Sequence, residues 1–126
     1  MPKSEMPSFT KSPPELIERF AAVMDRYPDV ERRKMFGYPA GFVGGNMVTG
    51  LFADQWVVRL AEGDVAAALG RGASGFEPTP GRTMKSFVAI PRADVADDVA
   101  IAGWVEQGIA RGRSMPAKEA GAKKRR

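Results

Sequence analysis

Between Lys34 and Leu60 the apolar spacing never becomes helical. Lys34-Met35-Phe36-Gly37 leads into a Gly-rich stretch, then Met47 to Ala53, then Asp54-Gln55, then Trp56 to Leu60. Gly44-Gly45-Asn46 and Asp54-Gln55 are too short to carry a crossover, so they join antiparallel neighbours. The stretch is read as an antiparallel meander. Met47 to Ala53 is apolar on both faces, which places it inside a sheet. Alternation assigns Met47, Thr49 and Leu51 to one face and Val48, Gly50 and Phe52 to the other. Pro39 interrupts the preceding region, so Arg32 to Val43 is expected as one strand region with a bend, a bulge or an edge position.

Helical spacing flanks this meander. Ser12-Pro13-Pro14-Glu15 reads as a helix start with Ser12 as cap, and Leu16, Phe20, Val23 and Tyr27 carry the period to Pro28. Glu62 to Leu69 predicts a short Ala-rich helix stopped by Gly70 and Gly72. Phe76-Glu77 suits a short edge strand, and Met84 to Ile90 alternates as a full one. Asp94, Asp97 and Asp98 favour the N-terminus of a last helix with an apolar stripe of Ile101, Trp104, Val105, Gly108 and Ile109. The order α-β-β-β-α-β-β-α predicts an α+β fold, a two-layer α/β sandwich on an antiparallel sheet of about five strands. The expected organisation is a flexible arm over residues 1–11, one domain over 12–113 and a disordered basic tail over 114–126.

The chain has 126 residues, with no Cys and no His. Disulfides, thiolate metal sites, cysteine nucleophiles and Ser-His-Asp chemistry are excluded from this chain alone. No catalytic, cofactor-binding or metal-binding set emerges from the remaining carboxylates, Lys, Arg, Tyr and hydroxyls, and a non-enzyme is expected. Asp54 and Glu77 sit at turns with no partner that spacing can supply. Neither a signal sequence nor an apolar run of membrane-spanning length is visible, so a cytoplasmic and most simply bacterial protein is expected, with no membrane partner.

The net charge of +4 is uneven. Residues 111–126 hold seven bases and one acid, 7 − 1 = +6, leaving 12 − 14 = −2 for residues 1–110. The basic character therefore belongs to the tail. Two clusters are candidates for phosphate or partner contacts: Arg32, Arg33 and Lys34 before the first strand, and Lys123, Lys124, Arg125 and Arg126 at the end. Arg59 and Lys85 are further candidates on strands. Charged edge strands also discourage edge-to-edge pairing, which alone accounts for Arg32–Lys34. The tail has no interleaved aromatics, so base stacking is not indicated. The four glycines from Gly37 to Gly45 lack the strand–loop–helix setting of a phosphate cradle and read as turns. Trp56, Trp104, Phe36, Phe52 and Phe87 suit a core or the lining of a small-molecule pocket.

The ordered landmarks carry a resemblance. Lys34-Met35-Phe36-Gly37, Met47 with Leu51-Phe52-Ala53-Asp54, Val57-Val58-Arg59-Leu60, Phe76-Glu77-Pro78, Met84-Lys85-Ser86-Phe87 with Ile90-Pro91, and Trp104-Val105 together resemble the TfoX/Sxy N-terminal domain family over roughly residues 13–113. The resemblance implies a fold similar to secretion-chaperone-like two-layer domains and brings no catalytic set with it. Some family members regulate natural competence with a transcription activator and carry a second, helical C-terminal domain; here a basic tail follows. The reading is thus a regulatory or protein-interaction module, contacting a protein partner or a second copy through an exposed sheet face. The alternatives are weak nucleic-acid binding through the tail, and a small-ligand binder or enzyme of unknown reaction.

Overall fold

The computed structural model describes residues 12–35, 37–79 and 82–116. Its elements are α1 (Pro14–Met24), β1 (Glu31–Met35), β2 (Tyr38–Val43), β3 (Asn46–Phe52), β4 (Gln55–Arg59), α2 (Glu62–Gly70), β5 (Ser74–Thr79), β6 (Arg82–Ala89), α3 (Arg92–Ala96) and α4 (Asp98–Ser114). The six strands form one antiparallel sheet in the order β1-β2-β3-β4-β6-β5. The α+β class and the antiparallel sheet follow the sequence reading. The residues from 117 onward, Lys123, Lys124, Arg125 and Arg126 among them, lie outside the described residues, as does the arm over 1–11.

Several local expectations change. Arg32 to Val43 is a hairpin, not one interrupted strand: Gly37, at φ 85, belongs to the turn that returns β2 along β1. Pro39 is the second residue of β2, opposite Lys34. The first helix is shorter than its period, because after Met24 the chain tightens into bonds from Arg26 N to Val23 O and Tyr27 N to Met24 O. Ser12 does not cap it. Pro13 is the cap residue, its carbonyl accepting from Leu16 N and Ile17 N, and the Ser12 hydroxyl is buried without a partner among the described residues. The last helical region breaks at Asp97, whose carboxylate accepts from Val99 N and Ala100 N and so starts α4.

The facing of β3 also differs from simple alternation. Gly41 pairs with Thr49 but Phe42 pairs with Met47, so Val48 is an extra residue in the ladder. Such a bulge shifts the alternation by one. Val48, Thr49 and Leu51 then all serve the helix side, while Met47 and Phe52 join the opposite face.

The main core lies between the sheet and the helices. Phe20, Val23 and Met24 of α1 and Ile101, Trp104, Val105 and Ile109 of α4 bury against Val48, Trp56, Val58 and Val88. Polar groups within it are satisfied: Trp56 Nε1 donates to Thr49 Oγ1, which donates to the Val57 carbonyl, both at 2.8 Å. Trp104 Nε1 donates to Asp94 at 2.8 Å, and the Arg71 guanidinium lies 4.4 Å from the Trp104 ring centre. Glycine sets the distance of α4 from the sheet. A Cβ on Gly108 would fall 2.6 Å from Val58 and 2.8 Å from the Val48 carbonyl; one on Gly112 would fall 2.5 Å from Val48. The other sheet face carries a chain of rings, Tyr38–Phe52–Phe76–Phe87, with successive centres 5.2, 5.3 and 6.3 Å apart.

Candidate interaction groove

Three segments remote in sequence meet at one end of the sheet: the start of α1, the β3–β4 turn, and the passage from β6 into α3. They enclose a groove of about 910 Å³. Its apolar wall is Leu16, Trp56, Ile90 and Val95, with Pro13 and Pro91 at the two helix starts. Its polar rim is Glu15, Asp54 and Arg92, and Arg92 bonds Asp54 across the mouth. The turn that presents Asp54 is strained. Ala53 has φ 54, a left-handed conformation that costs a non-glycine residue about 1 kcal/mol.

Arg19 lies deeper. Its Nε donates to the Val95 carbonyl at 3.0 Å and its Nη1 pairs with Asp98 at 2.7 Å, tying α1 to the α3–α4 corner. Its Nη2 is buried with no partner among the described residues. An unpaired buried donor costs about 1–3 kcal/mol relative to a bonded one. The Ser12 hydroxyl, next to Pro13, is in the same condition. The groove thus combines apolar walls with charges of both signs, and one of its lining residues, Arg19, carries an unsatisfied nitrogen. This chemistry suits an extended peptide, whose side chains cover Leu16 and Val95 and whose charges meet Glu15 and Arg92. Among the described residues, no group of three or more Asp or Glu converges in a way that would hold a metal ion.

The basic candidates are dispersed. Arg32 reaches back to α1, bonding Asp25 at 2.7 Å and the Ala21 carbonyl at 3.3 Å. Arg33 is held by Glu31 at 2.8 Å and lies 4.9 Å from the Phe42 ring centre; its hydrogen bond keeps the Glu31 carboxyl below its usual range. Lys34 is exposed on the same edge strand. Arg59 is half-buried on β4, donating to the Met47 carbonyl at 2.7 Å over the Phe87 ring. Lys85 is on β6, and its side chain lies outside the described residues, as do Phe36 and the terminal bases. On the sheet face opposite the helices, Val57, Phe76, Phe87 and Ala89 are buried and Met47 and Phe52 are half-buried. Trp56 and Trp104 belong to the main core, whereas Phe52 and Phe87 lie on the opposite face. Of the groove residues, Asp54 is visible in the sequence only as a turn acid without a partner. No helical or strand period points to a site assembled from residues 13–19, 54–56 and 89–96.

No helix among the described residues is long and apolar enough to cross a membrane. The family model of the TfoX N-terminal domain matches residues 22–111, which is 90 of the 126 residues. No curated protein matches the chain.

Proposed function

We propose that this chain, which belongs to the TfoX N-terminal domain family, is a non-enzymatic regulatory module of a bacterial cytoplasm that binds a protein partner through the groove. The family supports a regulatory or competence-related module in general. A link to transcription or competence control is the finer reading taken here, by analogy with the family. The observation that carries the groove assignment is the buried Nη2 of Arg19, which has no partner among the described residues and lies beside an apolar wall. A peptide carbonyl would reach that donor with a small outward turn of the guanidinium, because the nitrogen exposes almost no surface where it stands.

A photo-crosslinking residue at Gln55, on the groove, should trap one protein in cells of the source organism. The same residue at Lys34, on the sheet edge, should not. With that protein purified, Arg92→Glu should weaken binding at least tenfold, by placing like charges across the mouth, while melting within a few degrees of wild type. Equal trapping from Lys34 and Gln55, or a partner indifferent to Arg92→Glu, would remove the groove from the reading.

A further inference from the structure

The three segments that enclose the groove differ in charge from the chain as a whole. Counted as residues 13–19, 54–56 and 89–98, the last extended to the Asp98 that Arg19 bonds, they hold six acids: Glu15, Glu18, Asp54, Asp94, Asp97 and Asp98. Against these stand two bases, Arg19 and Arg92, so the balance is 2 − 6 = −4 in a chain of net charge +4. The surroundings of the groove are acidic although the protein is basic, and a charged cleft of one sign gathers partners of the other.

Among the described residues, two of these acids meet a cation: Asp54 bonds Arg92 and Asp98 bonds Arg19. Asp94 accepts from Trp104 Nε1, and Asp97 accepts from the backbone N–H groups of Val99 and Ala100. Those donors are neutral, so they hold the carboxylates in place without cancelling their charge. Glu15 and Glu18 are exposed and have no ion pair or hydrogen bond among the described residues. Arg19 stands four residues after Glu15, a spacing at which the two could pair along a helix. It turns instead to Asp98 and to the Val95 carbonyl. Glu15 lines the groove, and Glu18, three residues on, extends the same sign of charge along α1. Pro13 and Leu16, half-buried beside Glu15 in the lining, offer an apolar bed for the methylene stem of a Lys or Arg whose head meets the carboxylate.

We propose that the groove selects an extended segment carrying Lys or Arg, with one basic side chain meeting Glu15 and the surrounding acids steering the partner in. The inference rests on the groove reading above and names the chemistry of its partner. The Arg92–Asp54 bond shapes the mouth and governs how long a partner stays, whereas the acids around it govern how fast a partner arrives.

Short fluorescein-labelled peptides of one Ala, Leu and Pro framework, carrying a pair of Lys, of Gln or of Glu residues, are compared by anisotropy and stopped flow on the full chain. The Lys peptide should bind about tenfold tighter than the Gln peptide at low salt, with the Glu peptide weakest. Glu15→Gln should remove most of that preference. Glu18→Lys, outside the groove lining, should slow association of the Lys peptide by about threefold or more and leave its dissociation unchanged. Both substitutions are at exposed positions and should melt like wild type. The photo-crosslinking residue at Gln55 should trap the Lys peptide, and the same residue at Lys34 should not. Gln or Glu peptides trapped at Gln55 as well as the Lys peptide would overturn the inference and leave the groove reading standing, as would a Lys preference unchanged in both variants. Equal trapping of the Lys peptide from Lys34 would reduce the effect to unlocalised attraction and overturn it too. No trapping of any peptide would take the inference down together with the groove reading.

Discussion

On the helix side of the sheet, Val48 and Val58 lie directly under glycines of α4; on the other side, Tyr38, Phe52, Phe76 and Phe87 lie ring against ring. The first face excludes water by close approach of two rigid elements. The second does so with large flat side chains, and arginines lie over two of its rings, Arg33 on Phe42 and Arg59 on Phe87. Close approach leaves no spare volume, so small changes there are costly. Rings with half-buried members such as Phe52 have room to shift. Stability is thus concentrated where the sheet meets α4, and adaptability where it meets solvent and arginine stems.

The largest expected effect is at Trp104, which is 1% exposed and bonded to Asp94. Trp104→Ala should cost about 3–5 kcal/mol in urea denaturation. Phe52→Ala on the other face should cost about 1–2 kcal/mol, since only part of that ring is buried. Equal costs would erase the distinction between the faces.

Glycine gives a sharper test within one helix. Gly108→Ala drives a methyl into Val58 and the Val48 carbonyl and should cost about 1–3 kcal/mol. Gly103 has nothing within 4 Å of its Cβ position, so Gly103→Ala should raise stability by up to about 1 kcal/mol through helix propensity. Thermal melts that move both variants in the same direction would contradict the close-approach account.

The smallest effect concerns pH. Burial, then the hydrogen bond to Glu106, raises the Tyr27 hydroxyl above the ordinary 10.0. A raised folded value means that the neutral hydroxyl contributes stability fully below pH 10.0 and loses it as pH climbs through the folded value. Tyr27→Phe should therefore flatten the alkaline decline in melting temperature while costing little at pH 7. An unchanged alkaline slope would mean the Tyr27–Glu106 bond contributes nothing.

Period made most of the elements legible. The stripe Ile101, Trp104, Val105, Gly108 and Ile109 is the buried face of α4, and Met47 to Leu60 is two antiparallel strands. Period failed where one residue changes phase. The unpaired Val48 leaves no mark on composition, yet it reverses which neighbours face the helices. The hairpin at Gly37 was masked by Pro39, which argues locally against a paired strand and is tolerated as the second residue of β2. The groove was less legible still. Arg19 and Arg92 matter only because folding sets them beside Trp56 and Asp54, and one-dimensional spacing carries no trace of that.

The strand order also bears on synthesis. β4 ends at Arg59, and its neighbour in the sheet is β6, which ends at Ala89, 89 − 59 = 30 residues later. At roughly 5–20 residues per second, a growing chain holds the open edge of β4 for about two to six seconds before its partner has been made. β5 cannot close that edge, because its place is on the far side of β6. The nascent protein therefore passes through a stage in which a finished meander offers an unpaired strand to any neighbour on the same message. A fragment ending before Arg82 should preserve that stage, self-associating at concentrations where the full chain stays dispersed; a monodisperse fragment would show that α2 or the ribosome-proximal segment shields β4.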